Sequence, residues 1–207
     1  NHALIQSADV EQRDLLQLPD QQLKLPNGLI VRISNYEGDL RKLWLHDPKL
    51  TAQRKFRSLA YFPYDPKGVV TGTFIRKSNP VGVNHLDSRN HTGLMYWVGD
   101  VELTLGGKQQ RLRAFNYAKD WEKTGHLLLF VRDRTSGKTS YGGGRVLEVH
   151  LPQGAPPKQL SLNLNMLYAF LCAHSDFYNC PLNLTDKVDA ELAFGEKYPP
   201  LVGGMRH

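Results

Sequence analysis

Short β-forming segments bounded by glycine or proline recur along this 207-residue chain and constrain its fold more than any other feature. The chain holds 18 glycines and 12 prolines, and its helical periodicity is weak. Apolar and polar residues alternate within the segments, which is typical of antiparallel strands joined by turns. The predicted strands span residues 28–34, 69–75, 93–98, 100–105, 110–115, 126–132, 144–150 and 160–164. The expected fold class is all-β, mainly an antiparallel β-sandwich or open barrel.

One or two short helices are expected beside these strands. Residues 9–18 suit a short helix that Asp9 would cap. Residues 47–59 suit a second helix, with Asp47 as its cap and Pro48 at its first position. We expect residues 1–53 to form an N-terminal extension that packs on a β-rich core domain, residues 54–207.

The positive charge of the chain is concentrated in one segment. The formal net charge is +6, and residues 104–145 alone carry nine Lys or Arg against three Asp or Glu. Such a segment attracts anionic partners, although a solvated basic face is the simpler interpretation. No zinc-finger spacing and no RNA-binding motif accompanies it, so we expect no nucleic-acid partner.

The chain contains no apolar run of membrane-spanning length. Its longest purely apolar run covers eight residues, 166–173, whereas a membrane helix needs about 20. We therefore expect no transmembrane segment. The sequence opens on Asn1-His2-Ala3 without Met, which we interpret as a mature secreted or periplasmic protein whose signal peptide has been removed, a trimmed chain being the alternative.

The polar segment that directly follows the apolar run 127–131 holds the sharpest set of candidate functional residues. They are Arg132, Asp133, Thr135, Tyr141 and Arg145, set among four glycines. One interpretation is an internal network in which Asp133 bridges arginines and fixes the turn. The other is an anion pocket with Arg132 and Arg145 as clamps and Tyr141 as a directing hydroxyl. A preorganised network also makes a good pocket wall, so the two are compatible.

Cys172 and Cys180 are the two cysteines of the chain. An even count in a secreted protein predicts a disulfide. Reduced buried thiols, a metal site that also uses His174, and a nucleophilic cysteine remain alternatives. A structural zinc site needs a fourth ligand, and the eight histidines show no metal-binding spacing, so we expect no metal and no cofactor.

Several blocks in order resemble the bacterial family known as domain of unknown function 1684. The blocks are Tyr61-Phe62-Pro63-Tyr64-Asp65-Pro66, the hairpin that ends at Gly106-Gly107-Lys108, the Arg132–Arg145 segment, Cys172 through Cys180-Pro181, and Gly195-Glu196-Lys197. The resemblance extends from about Phe56 to Lys197 and implies a β-rich fold, but it supplies no reaction. Family members carry Asn-Pro-Pro where this chain has Ala169-Phe170-Leu171, and residues 78–91 and 118–125 look particular to this protein.

We expect a ligand site walled by the Arg132–Arg145 turn and the Cys172–Cys180 loop. The candidate ligand-binding residues are Arg132, Asp133, Thr135, Tyr141, Arg145, Asn165, Tyr168, His174, Ser175, Glu196 and Lys197. The first hypothesis is a binder of a small or anionic ligand. The second is a hydrolase with Asp133 or Glu196 as acid/base and Tyr141 as helper, and the third is a protein–protein interaction module. Whether the protein is an enzyme stays open.

The aromatic residues add a further option for the ligand. Three tryptophans and nine tyrosines would suit a sugar- or lipid-binding groove, although core and rim positions are their commoner use.

Overall fold

The computed structural model describes residues 4–7, 10–14, 22–35, 41–53, 59–152, 156–174 and 178–197. The chain divides into a smaller N-terminal unit and a larger unit that starts at Ser58, and each is described by itself. Both units consist mainly of antiparallel strands with few helices, which confirms the predicted all-β class.

Five strands and one short helix make up the described part of the smaller unit. They are β1 (Leu4–Ser7), β2 (Val10–Asp14), β3 (Gln22–Lys24), β4 (Ile30–Asn35), β5 (Arg41–His46) and α1 (Pro48–Gln53). β1 pairs with β2, and β3, β4 and β5 form an antiparallel sheet in chain order. The helix begins where it was predicted, because the Oδ1 atom of Asp47 accepts hydrogen bonds from the backbone N–H groups of Lys49 and Leu50, at 2.9 and 3.2 Å.

The helix predicted for residues 9–18 is wrong. Val10–Asp14 is the strand β2, whose partner is β1, with Leu4 opposite Asp14 and Ile5 opposite Arg13. The helical pattern was weak, and pairing with a neighbouring strand overrides such a weak local preference.

The larger unit contains one eight-stranded sheet. Its strands are β6 (Val69–Leu86), β7 (Thr92–Leu105), β8 (Lys108–Asn116), β9 (His126–Arg132), β10 (Arg145–His150), β11 (Gln159–Asn163), β12 (Tyr168–Ala169) and β13 (Asp186–Lys187). Their order across the sheet is β11-β6-β7-β8-β9-β10-β12, all antiparallel, and β13 adds to β9 as a parallel strand. Residues 78–91, which looked particular to this protein, extend the β6–β7 hairpin.

Both faces of this sheet are covered, as the residues of β9 show. Leu127, Leu129 and Val131 belong to one buried cluster, whereas Leu128 and Phe130 belong to another. Successive side chains of a strand point to opposite faces, so the two clusters lie on the two sides of the sheet. The second cluster includes Cys172 and Cys180, which places both cysteines over that face.

None of the helices in the described ranges has the length and apolar character that crossing a membrane requires.

Candidate functional site

Arg145 is fully buried and lies at the centre of a polar network. Its guanidinium donates to the Oδ2 atom of Asp133 at 2.9 Å, and neither side chain of this ion pair is exposed. It also donates to the backbone carbonyls of Leu192 at 2.8 Å, of Glu196 at 3.2 Å and of Phe194. The contacts of Arg145 are therefore those of the internal network and join β10 to the C-terminal segment.

Asp133 and Thr135 complete this network and fix the turn after β9. The Oδ1 atom of Asp133 accepts from the backbone N–H of Thr135 at 2.8 Å. The hydroxyl of Thr135 lies 2.7 Å from that of Ser140, and both residues are buried. The protein interior thus brings together three of the five candidates in the polar segment: Asp133, Thr135 and Arg145.

Asn165 has a comparable structural role at a different place. Its side-chain oxygen accepts from the backbone N–H of Asp65 at 3.1 Å, and its Nδ2 atom donates to the backbone carbonyl of Asp65 at 2.9 Å. These two bonds fasten the loop 61–66 to the segment that follows β11.

Two of the predicted site residues, His174 and Glu196, lie next to each other. His174 is partly exposed, whereas Glu196 is buried. The Nε2 atom of His174 lies 2.9 Å from Oε1 of Glu196, and the other carboxylate oxygen accepts from the backbone N–H of Ala169 at 2.9 Å. Glu196 is 2% exposed and the side chain of His174 is 20% exposed. Among the described residues the Oε1 atom of Glu196 accepts no hydrogen bond, so its contact with His174 is an ion-pair distance.

The backbone of Gly195 sets the position of Glu196. Gly195 has a φ of +70°, and a Cβ atom there would lie 2.3 Å from the carbonyl oxygen of Leu167. This close approach lets the backbone N–H of Glu196 donate to the same carbonyl at 2.7 Å. A side chain at position 195 is incompatible with this geometry.

A disulfide joins Cys172 to Cys180, as predicted. The hydroxyl of Tyr141 lies 3.9 Å from the sulfur of Cys172, so the polar turn and the cysteine loop meet at this point. His174 directly follows a 3₁₀ turn, Leu171–Ala173, that contains the first cysteine. The disulfide therefore helps to hold the segment that carries His174.

Removing this disulfide should lower stability. The variant Cys172→Ser/Cys180→Ser should lose about 2–3 kcal/mol of unfolding free energy, because its unfolded chain is less constrained. Urea denaturation followed by circular dichroism measures the loss, and reductant should bring the wild type to the same midpoint. An unchanged midpoint under oxidising conditions would rule out a stabilising disulfide.

Asp87, which the sequence did not single out, anchors the other end of the cysteine loop. Its carboxylate accepts from Nδ2 of Asn179 at 2.6 Å, next to Cys180, and from the backbone N–H groups of Arg89 and His91 at 2.8 and 2.9 Å. Burial alone would raise the pKa of Asp87, but the N–H groups of His91 and Arg89 hold it below its ordinary value. No local sequence motif predicts this contact, because Asp87 and Asn179 lie far apart along the chain.

Tyr168 lies at the edge of the covered face, opposite Val146. Burial raises the pKa of its hydroxyl, and the charges of Glu148 and Tyr117 raise it further. The hydroxyl therefore stays protonated well into the alkaline range and can act as a hydrogen-bond donor.

The structure places the remaining predicted residues at separate positions. Arg132 is exposed at the end of β9, with its side chain next to Gly144. The amine of Lys197 lies 5.1 Å from the centre of the Phe62 ring. Ser175 lies outside the described residues. Within the described ranges, no three His, Cys, Asp or Glu side chains converge as metal ligands would.

Comparison with known proteins identifies relatives but no activity. A family model described as "Protein of unknown function (DUF1684)" matches residues 54–197. An uncharacterized protein of Haloarcula marismortui, whose structure was determined by solution NMR, is 28% identical, with a TM-score of 0.58. The match covers 73% of this chain and 80% of the other. No curated protein matches the chain.

Proposed function

The chain belongs to the DUF1684 family of proteins of unknown function, and from that premise we propose that it binds a small anionic ligand beside His174. The observation that carries this proposal is the pair of His174 and the buried Glu196, 2.9 Å apart. Keeping a carboxylate buried beside an imidazole that is 20% exposed costs desolvation free energy. Binding explains that arrangement better than packing does.

The chemistry of His174 suits an anion. When protonated, the ring carries a positive charge with Nε2 2.9 Å from Oε1 of Glu196, and the N–H of Nδ1 is a donor that a carboxylate or phosphate oxygen can accept from. The Oε2 atom of Glu196 accepts from the N–H of Ala169, and Oε1, which accepts no hydrogen bond among the described residues, lies 2.9 Å from Nε2 of His174. An anion that binds at Nδ1 would leave the contact between Nε2 and Oε1 in place.

The proposal includes three further residues as donors. The phenol of Tyr168, on the residue before Ala169, keeps its proton at neutral pH. Tyr141 reaches the cysteine loop, and Arg132 is an exposed cation at the end of β9, which β10 separates from β12. Arg145 does not belong to the contact surface in this proposal, because it is fully buried.

An NMR titration tests the proposal. Inorganic phosphate, citrate and galacturonate serve as probes, and ¹H–¹⁵N spectra follow the ring signals of His174 together with the backbone amide signals, which remain observable in His174→Ala. We expect at least one probe to shift these signals saturably, and His174→Ala to weaken its binding about tenfold or more.

The control is His150→Ala. His150 also lies near a glutamate, Glu148, but the two side chains are exposed and 3.9 Å apart. Its removal should leave the titration unchanged. Equal binding by the His174→Ala protein, or no saturable shift with any of the three anions, would refute the proposal.

A hydrolase is the second candidate, and the same pair favours it. An imidazole oriented by a carboxylate is the base of many acyl-transfer sites. It would take a proton from the attacking water while the acyl–oxygen bond breaks and the alcohol leaves with a proton. Hydrolysis of p-nitrophenyl acetate that is lost in both His174→Ala and Glu196→Gln, at unchanged folding, would support catalysis. If His174→Ala and Glu196→Gln hydrolysed the ester as fast as His150→Ala does, catalysis by this pair would be excluded.

We also propose that the protein acts outside the reducing cytosol, in a secreted or periplasmic location. The Cys172–Cys180 disulfide supports this, because such bonds persist in oxidising compartments.

A further inference from the structure

Two exposed cations lie side by side where β9 ends. Arg132 is the last residue of β9, and Lys187 is the last residue of β13, the parallel strand that pairs with β9. The pairing sets Lys187 in register with Arg132, and both residues are exposed. Like charges that face each other across neighbouring strands destabilise a sheet. The arrangement therefore costs stability unless something neutralises it.

The burial of the neighbouring residues places both cations on one side of the sheet. Val131 precedes Arg132 and Val188 follows Lys187, and both valines belong to the same buried cluster. Successive side chains of a strand point to opposite faces. Arg132 and Lys187 thus both point away from that cluster.

The next exposed residues along the same two segments form a neutral pair. Arg134 and Asp189 are exposed, and Nε of Arg134 donates to Oδ1 of Asp189 at 2.8 Å. This contact shows that side chains of the two segments reach each other on the exposed side. At that position opposite charges meet, whereas at Arg132 and Lys187 two like charges do.

The carboxylates closest in sequence to the two cations have other partners. Asp133 binds Arg145, Asp186 binds Arg113, and Asp189 binds Arg134 and Lys108. Among the described residues, neither Arg132 nor Lys187 forms an ion pair. Two positive charges thus remain unbalanced in this part of the chain.

Gly144 allows the Arg132 side chain to lie against the backbone. A Cβ atom at this glycine would lie 2.9 Å from Cγ of Arg132. The stem of the arginine is therefore confined on that side before any ligand arrives. A confined side chain loses less conformational entropy on binding than a free one.

We propose that Arg132 and Lys187 bind one phosphate group between them, either inorganic phosphate or the phosphate of a monoester. A phosphate group carries a charge of about −1.5 to −2 at neutral pH, which two cations can balance. The guanidinium donates parallel N–H bonds to two phosphate oxygens, and the lysine amine adds a point charge. This inference goes beyond the proposed site at His174, in which Arg132 has only an accessory role.

An NMR titration with inorganic phosphate and with glycerol 3-phosphate tests this inference, and acetate is the comparison ligand. We expect saturable shifts of the backbone amide signals of residues 131–133 and 186–188 with at least one phosphate. Acetate should bind at least about tenfold more weakly, since it carries a single charge. The phosphate with the lower Kd identifies the source of the group.

Substitutions identify the residues that bind. Arg132→Ala and Lys187→Ala should each raise the Kd for the bound phosphate about tenfold or more. Lys108→Ala is the matched control and should leave the Kd unchanged, because Lys108 is also exposed but already pairs with Asp189.

Lys187→Glu tests the charge itself. It should abolish the amide shifts, and it should raise the midpoint of urea denaturation, because a glutamate opposite Arg132 replaces repulsion by attraction. A higher midpoint together with lost binding would show that the wild-type cations serve the ligand and not the fold.

The outcomes separate this inference from the proposed site at His174. Phosphate binding that persists in Lys187→Ala but is lost in His174→Ala would overturn the inference and leave the His174 site standing. Loss in Lys187→Ala with unchanged binding in His174→Ala would support it, and the citrate and galacturonate titrations would then decide on the His174 site. The absence of saturable shifts at these amides with either phosphate would also overturn it.

Discussion

Asp133→Ala should destabilise the larger unit by about 3–5 kcal/mol, because it leaves Arg145 buried without its counter-charge. A loss of this size is a large part of the stability of an ordinary domain. The same carboxylate also accepts from the N–H groups of Thr135 and Leu192, so the turn after β9 and the C-terminal segment loosen together. Urea denaturation monitored by circular dichroism gives the loss directly.

Two further variants show whether the buried charge is the cause. Asp133→Leu/Arg145→Met removes both charges and should recover part of the loss, because an apolar pair leaves no uncompensated ion. Asp189→Ala removes an exposed carboxylate that binds Arg134 and Lys108, and its effect should be much smaller. If Asp133→Ala were no worse than Asp189→Ala, the Arg145 network would not stabilise the fold as its geometry implies.

The local part of the fold could be predicted from the sequence. β9 and β10 pair with Val131 opposite Arg145 and His126 opposite His150, within the ranges that alternation and turn residues indicated. Strand existence depends on neighbours along the chain, which the sequence displays. The parallel addition of β13 to β9 depends on residues more than 50 positions apart, and no local pattern encodes it.

The site could be predicted residue by residue but not as an assembly. His174 and Glu196 were both candidates, yet nothing along the chain indicated that they would meet. Arg145 looked equally suited to a pocket or to the interior, and its burial depends on backbone carbonyls of Leu192 and Phe194 that only the folded C-terminal segment supplies. An arginine is rarely buried in full, so its residue type alone did not indicate this burial.

Gly195→Ala should cost at least about 2 kcal/mol and should disturb the proposed site at the same time. A non-glycine residue at a φ of +70° costs about 1–2 kcal/mol, and the new Cβ would also press on the carbonyl of Leu167 at 2.3 Å. A backbone atom cannot rotate away as a side chain can. The segment must move, and Glu196 moves with it.

Gly107→Ala separates the two parts of this cost. Gly107 has a similar φ of +75°, but nothing lies within 4 Å of the Cβ that alanine would add there. Its variant should therefore show only the conformational cost of about 1–2 kcal/mol and leave the His174 ring signals unchanged. Gly195→Ala should exceed it in denaturation experiments and shift those signals, because Glu196 orients the ring. The prediction would be contradicted if both variants lost the same free energy of unfolding and the His174 ring signals did not shift. Glu196 would then keep its position without the close approach of Gly195 to Leu167.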